Sequence, residues 1–367
     1  MILKKLCLEQ YRNIRLASFE PARNLTILFG FNGQGKTNIL ESIYLLSNAR
    51  PFRSAKLPDL IHHKSTTAVV RGLVQSSGIK SEVVIKLESS NRRVTIDGKA
   101  IHRSNDLHGK LSVVLFSPDD TAMIKLGPET RRRFLDRSLY ASDAGFLDNY
   151  HSYYRTLKQR NALLKKNQTD GLDIWTEQMA ISGSKLMAQR QRYTTQLNPL
   201  LQMNYQQIAG KHEKVEICYR PDVSITHEYD IESLLNLLNI QKNNDVKNKT
   251  TGRGPHRDDL IFLIEDRPLK IFGSQGQQRS FILALKMAEL EYLHKIYGEM
   301  PVLLLDDIAS ELDQERIANL LTYVRQKEIQ VLITTTDVTP FLPMLEENSK
   351  IILITDGTLT YEGNGLP

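Results

Sequence analysis

Only two of the 367 residues are cysteine, Cys7 and Cys218, and they stand far apart with no CxxC or Cys/His ligand spacing. That excludes a disulfide framework and a zinc site, and both thiols are expected to pack as small apolar groups in the core. The chain also lacks any run of about 18 apolar residues that would span a bilayer. Its first residues, Met1-Ile2-Leu3-Lys4-Lys5, lead into alternating strand-like sequence and not into an apolar signal core, so the protein is expected in the cytosol. Low-complexity tracts and internal repeats are missing, and 41% hydrophobic with 25% charged residues is the composition of a folded globular protein. His62-His63 and His256 have no carboxylate or thiol at ligand spacing, which leaves no candidate site for a metal other than Mg²⁺.

What the chain has in excess is lysine and arginine, for a net charge of +6. Such a surplus attracts polyanions and releases their counterions, so a nucleic acid is a fitting partner. Domains usually run about 100–200 residues, which predicts two domains or one carrying a large insertion. Period-two patterning marks strands at Leu3–Glu9, Ile14–Phe19, Leu25–Phe29, Thr67–Gln75, Lys80–Glu88 and Arg93–Ile96, and Leu111–Phe116 is a further apolar strand. Helical spacing takes over at Arg131–Tyr140, Ala144–Lys166, Ile174–Ile208 and Ile231–Ile240, and strand-like sequence resumes at Leu260–Glu265. The fold class predicted is α/β: a P-loop mixed sheet with helices and an antiparallel meander, built from residues 1–120 and 250–367. A mostly helical lobe, 121–249, is inserted between them.

Gly30-Phe31-Asn32-Gly33-Gln34-Gly35-Lys36-Thr37 fits GxxxxGK[ST], with a strand before it and a helix after it. In such a loop the backbone N–H groups of Gly30, Asn32, Gly33 and Gly35 approach phosphates closely. Lys36 then reaches the β- and γ-phosphates, and Thr37 ligates Mg²⁺. ATP with Mg²⁺ is thus the expected cofactor. Val302-Leu303-Leu304-Leu305-Asp306-Asp307 is an apolar strand ending in carboxylates, where Asp306 is placed to hold Mg²⁺ through water and Asp307 to orient the attacking water. Lys36, Asp306 and Asp307 are the catalytic candidates.

Ser274-Gln275-Gly276-Gln277-Gln278, about 30 residues before that strand end and opening a helix, resembles the signature motif of ABC-type ATPases. Glu311-Leu312-Asp313 resembles their D-loop. Within the chromosome-maintenance and repair branch, the match is to the RecF family. It rests on Tyr11-Arg12-Asn13-Ile14-Arg15, Phe116-Ser117-Pro118-Asp119-Asp120, Gly127-Pro128, Arg131-Arg132-Arg133-Phe134-Leu135-Asp136 and Gly254-Pro255-His256-Arg257-Asp258-Asp259. The resemblance runs from end to end and is weakest between Ala144 and Asn248. It implies a head-to-tail homodimer in which Ser274, Gly276 and Gln277 of one copy cap the γ-phosphate held by the other. It also implies that Arg12 and Asn38 join the nucleotide site. The implied function is an ATP-dependent clamp on duplex DNA near single-strand gaps in recombinational repair and replication restart, working with RecR and, further, RecO.

Two features depart from the wider ABC pattern. Asp307 stands where a catalytic glutamate is usual, so slow hydrolysis is expected. After Ile333 the chain reads Thr334-Thr335-Thr336-Asp337, with no histidine to meet the γ-phosphate. For DNA, Arg131, Arg132, Arg133, Lys158 and Lys165 are the candidates, drawn from that triplet and from the basic run Arg155, Lys158, Arg160, Lys165, Lys166. Trp175, Tyr153 and Tyr154 are expected in the core. A transporter-type ABC subunit would need a Q-loop, an LSGGQ-like signature and a switch histidine; a P-loop kinase would need neither Gln275–Gln278 nor Glu311–Asp313 and would turn over as a monomer.

Overall fold

The protein is described from a computed structural model, which covers residues 1–53, 56–101, 104–210, 212–223 and 230–362. Two compact units emerge: Met1–Thr121 with Asn204–Lys211 and Arg279–Pro367, and Ala122–Met203 with His212–Gln278. Among the described residues, no helix is long and apolar enough to cross a membrane.

The first unit contains two six-stranded sheets. One runs in the order Thr358–Glu362, Lys350–Thr355, Leu25–Phe29, Val331–Thr335, Val302–Leu305, Val113–Phe116, and every pair is parallel except the closing hairpin of the first two. Val302–Leu305 is buried at every position and Leu25–Phe29 at all but its last, as expected of parallel strands covered on both faces. The other sheet is antiparallel, in the order Ile14–Phe19, Ile2–Tyr11, Thr67–Ser76, Ile79–Glu88, Arg92–Ile96, Lys99–Ile101. Its inward alternation (Leu6, Leu8, Val70, Val83, Ile85) meets Ile39, Ile43 and Leu46 of the helix Lys36–Asn48 in one apolar core.

The second unit is built on the helices Pro128–Ser142, Phe146–Lys165 and most of Leu172–Ala209, with Ile231–Ile240 and Lys242–Asn248 beside them. The long helix continues through Pro199, which lacks an N–H and is usually a breaker. A strand unforeseen in the sequence, Val215–Arg220, pairs antiparallel with Asp259–Ile264. This pairing places 250–278 in the second unit and not, as the sequence predicts, with the first. The outer edge of Val215–Arg220 is covered by side chains: Asn198 bonds both the N–H (2.8 Å) and the carbonyl (3.0 Å) of Ile217. Gln202 accepts from the Val215 N–H (2.8 Å) and donates to the Glu213 carbonyl (3.0 Å).

Two arginines are buried here, and of their carboxylate partners Asp258 and Asp245 are buried and Asp136 half-buried. Arg190, fully buried, donates to Asp136 and Asp258 at 2.8 Å each and to the Pro255 carbonyl at 2.7 Å, while the Tyr219 hydroxyl donates to Asp258 at 2.5 Å. Burial pushes the Asp258 carboxyl up, against the pull of Arg190. Arg160, which the sequence places in an exposed basic run, is also fully buried and bonds Asp245 and Thr251 at 2.7 Å and Thr176 at 3.0 Å.

His256 lies 3.1 Å from the Thr251 carbonyl through Nε2 and 2.7 Å from the Tyr153 hydroxyl through Nδ1. A carbonyl only accepts, so Nε2 carries the proton and Nδ1 accepts from Tyr153. Burial pushes the imidazole down from 6.5 to about 4. The unfolded chain therefore takes up this proton first, and the stabilisation present above pH 6.5 is lost as the pH falls toward 4. The limiting slope is about 1.4 kcal/mol per pH unit. Thermal denaturation from pH 7 to 4 should show this fall, and it should be shallower in His256→Gln; equal slopes would remove His256 from the account.

Candidate nucleotide-binding site

The three central parallel strands all end on one edge of the sheet. Leu25–Phe29 runs into the glycine loop, Val331–Thr335 delivers Thr334, and Val302–Leu305 delivers Asp306 and Asp307. The carboxyl ends of parallel strands are where open α/β sheets hold ligands. Gly30 and Gly35 adopt φ of 150° and 111°, and a Cβ on Gly30 would stand 2.3 Å from the Ile354 carbonyl oxygen. The loop is braced from outside its own sequence. Asn13 donates to the Gln34 carbonyl at 3.1 Å and accepts from Asn38 at 2.8 Å, and the Gly357 N–H bonds the same Gln34 carbonyl at 2.9 Å. Asn32 and Gly33 form the exposed tip.

Lys36 folds back so that its Nζ donates to the carbonyls of Gly30 (2.5 Å) and Phe31 (2.9 Å). Burial lowers its pKa, opposed by Asp307 and Asp306. Asp306 Oδ1 accepts from Thr37 Oγ1 and from Thr334 Oγ1, both at 2.8 Å, and Arg53 stands 3.7 Å from its Oδ2. Burial raises the Asp306 pKa, while the two hydroxyls and then Arg53 hold it down. Thr334 has a second task, accepting from the Asp307 N–H at 2.9 Å. Asp307 itself sits at φ 51°, ψ 43°, a left-handed conformation rare for a residue with a side chain. Its carboxylate accepts from Ser310 at 2.8 Å. Backbone strain of this kind collects at functional sites.

Thr37 Oγ1 and Asp306 offer the hard oxygen donors that suit Mg²⁺, a cation that keeps most of its shell for water and phosphate. Among the described residues no group of three or more His, Cys, Asp or Glu side chains is arranged to hold a metal by itself. Phosphate oxygens would have to complete the shell.

The other sequence-predicted residues fall in different settings. Arg12 is forked onto Glu41, at 2.8 Å through both Nε and Nη2, and donates to the Asp59 carbonyl at 3.0 Å; Tyr11 bonds the same carboxylate. Its guanidinium braces the loop helix. In the second unit, Ser274 accepts from the Gln277 N–H (3.2 Å) and Gln277 Oε1 accepts from the Ser274 N–H (2.7 Å), a reciprocal capping box. It begins the helix Gln275–Tyr297 and leaves the first-turn N–H groups, including that of Gly276, without intrahelical partners. Asp313 caps the helix Gln314–Gln326 by accepting from the Arg316 N–H.

Of the basic candidates, Arg131 is forked onto Asp259 (2.8 and 3.0 Å) and bonds the Leu126 carbonyl, and Arg132 donates to the Asp258 carbonyl at 2.7 Å. Both hold helix Pro128–Ser142 to the re-entry segment. Arg133 pairs with Glu129 on the exposed face, and Lys158 and Lys165 are exposed. Tyr153 is core as expected, Trp175 and Tyr154 are half-buried, and the expectation of core thiols is corrected. Cys7 and Cys218 are half-buried, because each sits on the outward side of its strand. Sequence reasoning missed Arg53, the Thr334–Asp306 bond and the Asn13–Gln34 brace.

A glycine loop between strand and helix, faced by a carboxylate-ended parallel strand, defines a P-loop head of the ABC-type ATPase class. The model of the RecF/RecN/SMC N terminal domain family matches residues 2–360. A DNA replication and repair protein RecF from Trichlorobacter lovleyi is 67% identical over all of both chains. A solved structure of the recombination mediator protein RecF–ATP in the RecFOR pathway superposes with a TM-score of 0.88 at 33% identity, covering 98% of this chain and 99% of that one. An SMC head domain from Pyrococcus furiosus shares the fold, with a TM-score of 0.55 at 13% identity over 98% and 95% of the two chains. The chain belongs to the RecF family.

Thr334 carries two bonds at the centre of this site. Thr334→Val should lower the stability of the first unit by about 1–3 kcal/mol, since the Asp307 N–H loses a buried acceptor. Thr334→Ser should recover most of it in denaturant unfolding. A neutral Thr334→Val would mean that water replaces the hydroxyl at no cost.

Proposed function

We propose that this protein is an ATP-dependent DNA-binding protein of recombinational repair and replication restart, in which ATP joins two copies around duplex DNA near single-strand gaps and slow hydrolysis releases it. The observation carrying this reading is the convergence of Lys36, Thr37, Asp306, Asp307 and Thr334 at one sheet edge, in a chain of the RecF family. Relatives named as replication and repair proteins, and a solved RecF–ATP structure of the RecFOR pathway, support the biological setting. RecR, with RecO, is the partner set that this setting brings.

The roles follow from the chemistry. The loop N–H groups from Gly30 to Gly35 and the helix N-terminus cradle the phosphates. Lys36 leaves its two carbonyl partners for the β- and γ-phosphates. When bound through Thr37 and Asp306, Mg²⁺ supplies positive charge to the phosphate oxygens. Asp307 orients the attacking water, and its short side chain on a strained backbone suits a slow ATPase. Ser274, Gly276 and Gln277 of a second copy close the site from the far side.

Sedimentation with and without ATP and duplex DNA tests the reading as a whole. Lys36→Arg should keep part of its nucleotide affinity yet lose DNA-stimulated phosphate release by about 100-fold, because a planar guanidinium cannot place its charge between the phosphates. Ser274→Arg should bind ATP in its own loop but fail to dimerise. Mixing the two variants should restore one composite site, and no recovery above either alone would sink the head-to-tail arrangement.

For DNA, the exposed row on helix Phe146–Lys165 leads, since Arg131 and Arg132 are tied to internal partners. Lys158 and Lys165 lie seven apart on one face. Lys158→Ala/Lys165→Ala should flatten the log–log salt dependence of duplex affinity by about 0.9 for each phosphate no longer neutralised, equally for all sequences. An unchanged slope would place the DNA surface elsewhere.

A further inference from the structure

Asn32-Gly33 is the only asparagine–glycine step among the described residues, and it forms the exposed tip of the phosphate loop. In such a step the glycine nitrogen readily reaches the preceding side-chain amide, because glycine has no Cβ to block the approach and its backbone bends freely. Here Gly33 stands at φ 82°, and a Cβ built on it would meet nothing within 4 Å. Among the described residues, neither the Asn32 carboxamide nor the Gly33 N–H makes a hydrogen bond. The two reacting groups are therefore adjacent, exposed and unengaged.

Their surroundings favour the reaction. Attack requires the Gly33 nitrogen to shed its proton, and the anion so formed lies in a loop suited to negative charge. The helix Lys36–Asn48 turns its N-terminus to the loop, and no side chain caps its first-turn N–H groups. The Lys36 ammonium lies 2.9 Å from the Phe31 carbonyl, on the peptide that leads into Asn32. These groups stabilise the nitrogen anion and the oxyanion of the tetrahedral adduct as they would a phosphate. Bound phosphates take up the same N–H groups and bring negative charge of their own, which opposes both species.

We infer that Asn32 is a site of spontaneous covalent modification, at which water replaces the side-chain amide while the phosphate loop is empty and from which bound nucleotide protects it. The inference rests on the nucleotide-site reading. The Gly33 nitrogen bonds to Asn32 Cγ, the carboxamide C–N bond breaks and ammonia leaves, giving a five-membered succinimide. Water then opens the ring at either carbonyl. One opening leaves aspartate; the other leaves isoaspartate, whose backbone runs through the former side chain. Nothing is oxidised or reduced: one water enters and one ammonia departs. Either product sets a carboxylate beside the phosphates. Isoaspartate also lengthens the backbone by a methylene, which spoils the spacing of the cradling N–H groups.

The test holds full-length protein in mildly alkaline buffer, empty or with Mg²⁺ and a non-hydrolysable ATP analogue. Mass spectrometry follows the Asn32 peptide, and calorimetry follows ATP affinity. The empty folded protein should convert Asn32 at least as fast as the urea-unfolded chain, and the analogue should slow conversion by about 10-fold or more. Converted protein should bind ATP about 10–100-fold more weakly, as should Asn32→Asp. Gly33→Ala and Lys36→Ala should each slow the conversion, the first by crowding the nitrogen and the second by removing the cation. An amide that persists in the empty folded protein while the unfolded chain converts overturns the inference. Equal conversion with and without analogue, where calorimetry shows the analogue bound, also overturns it, as does conversion with ATP affinity unchanged. Fresh protein that takes up no ATP overturns the nucleotide-site reading, and with it the protection.

Discussion

A carboxylate at the end of a wholly buried strand is the constraint around which the first unit is arranged. Asp306 follows Val302–Leu305 and is itself buried, so its charge must be met by donors brought from elsewhere in the chain. Two hydroxyls meet it, Thr37 at the start of the loop helix and Thr334 at the end of the neighbouring strand. Parallel pairing makes this possible: with Leu305 opposite Ile333, and Ile333 opposite Ile27, the ends of three strands are aligned. A slip of one residue would remove the donors and leave the charge bare. The same alignment gives the phosphate loop its place, so folding requirement and ligand chemistry converge on one sheet edge.

The second unit solves a similar problem with arginine. Arg190 and Arg160 are fully buried, yet each has carboxylate and neutral oxygen partners; those of Arg160 meet Nε and Nη1, and its Nη2 is left without a hydrogen bond. The Arg190 network ties helix Pro128–Ser142 to the turn Pro255–Arg257 and the strand after it. Removing Arg190 would leave the buried Asp258 carboxylate without its cation, and removing Asp245 would leave the Arg160 charge without a carboxylate, so both losses should be strongly destabilising.

Much of the nucleotide site was legible in the sequence because its chemistry needs contiguous residues. A phosphate cradle must be a short glycine-rich loop between a strand and a helix, and Gly30–Thr37 is written in one place. What joins distant positions was not legible. The bond from Thr334 to Asp306 spans 28 residues and exists only once two strands lie side by side. Asn13, Gln34 and Gly357 brace the loop from three parts of the chain. Arg160 looked like one more member of a basic run, although it stands two residues, about 200° of helical turn, from Lys158, and so points into the unit while Lys158 faces solvent. The strand Val215–Arg220 carried a period-two signal that was short beside the long helical patterns on either side, and without it Asp259–Ile264 had no visible partner outside the first unit.

The edge of that strand has a chemical consequence. Asn198 and Gln202 act as a makeshift neighbouring strand, occupying the peptide groups that would otherwise accept another chain. Asparagine is a fragile guard, since the backbone nitrogen of the next residue can attack its amide and convert it slowly to aspartate. Here the next residue is Pro199, whose ring nitrogen carries no hydrogen. The proline that looks like a flaw in a 38-residue helix therefore closes that route to the adjacent amide.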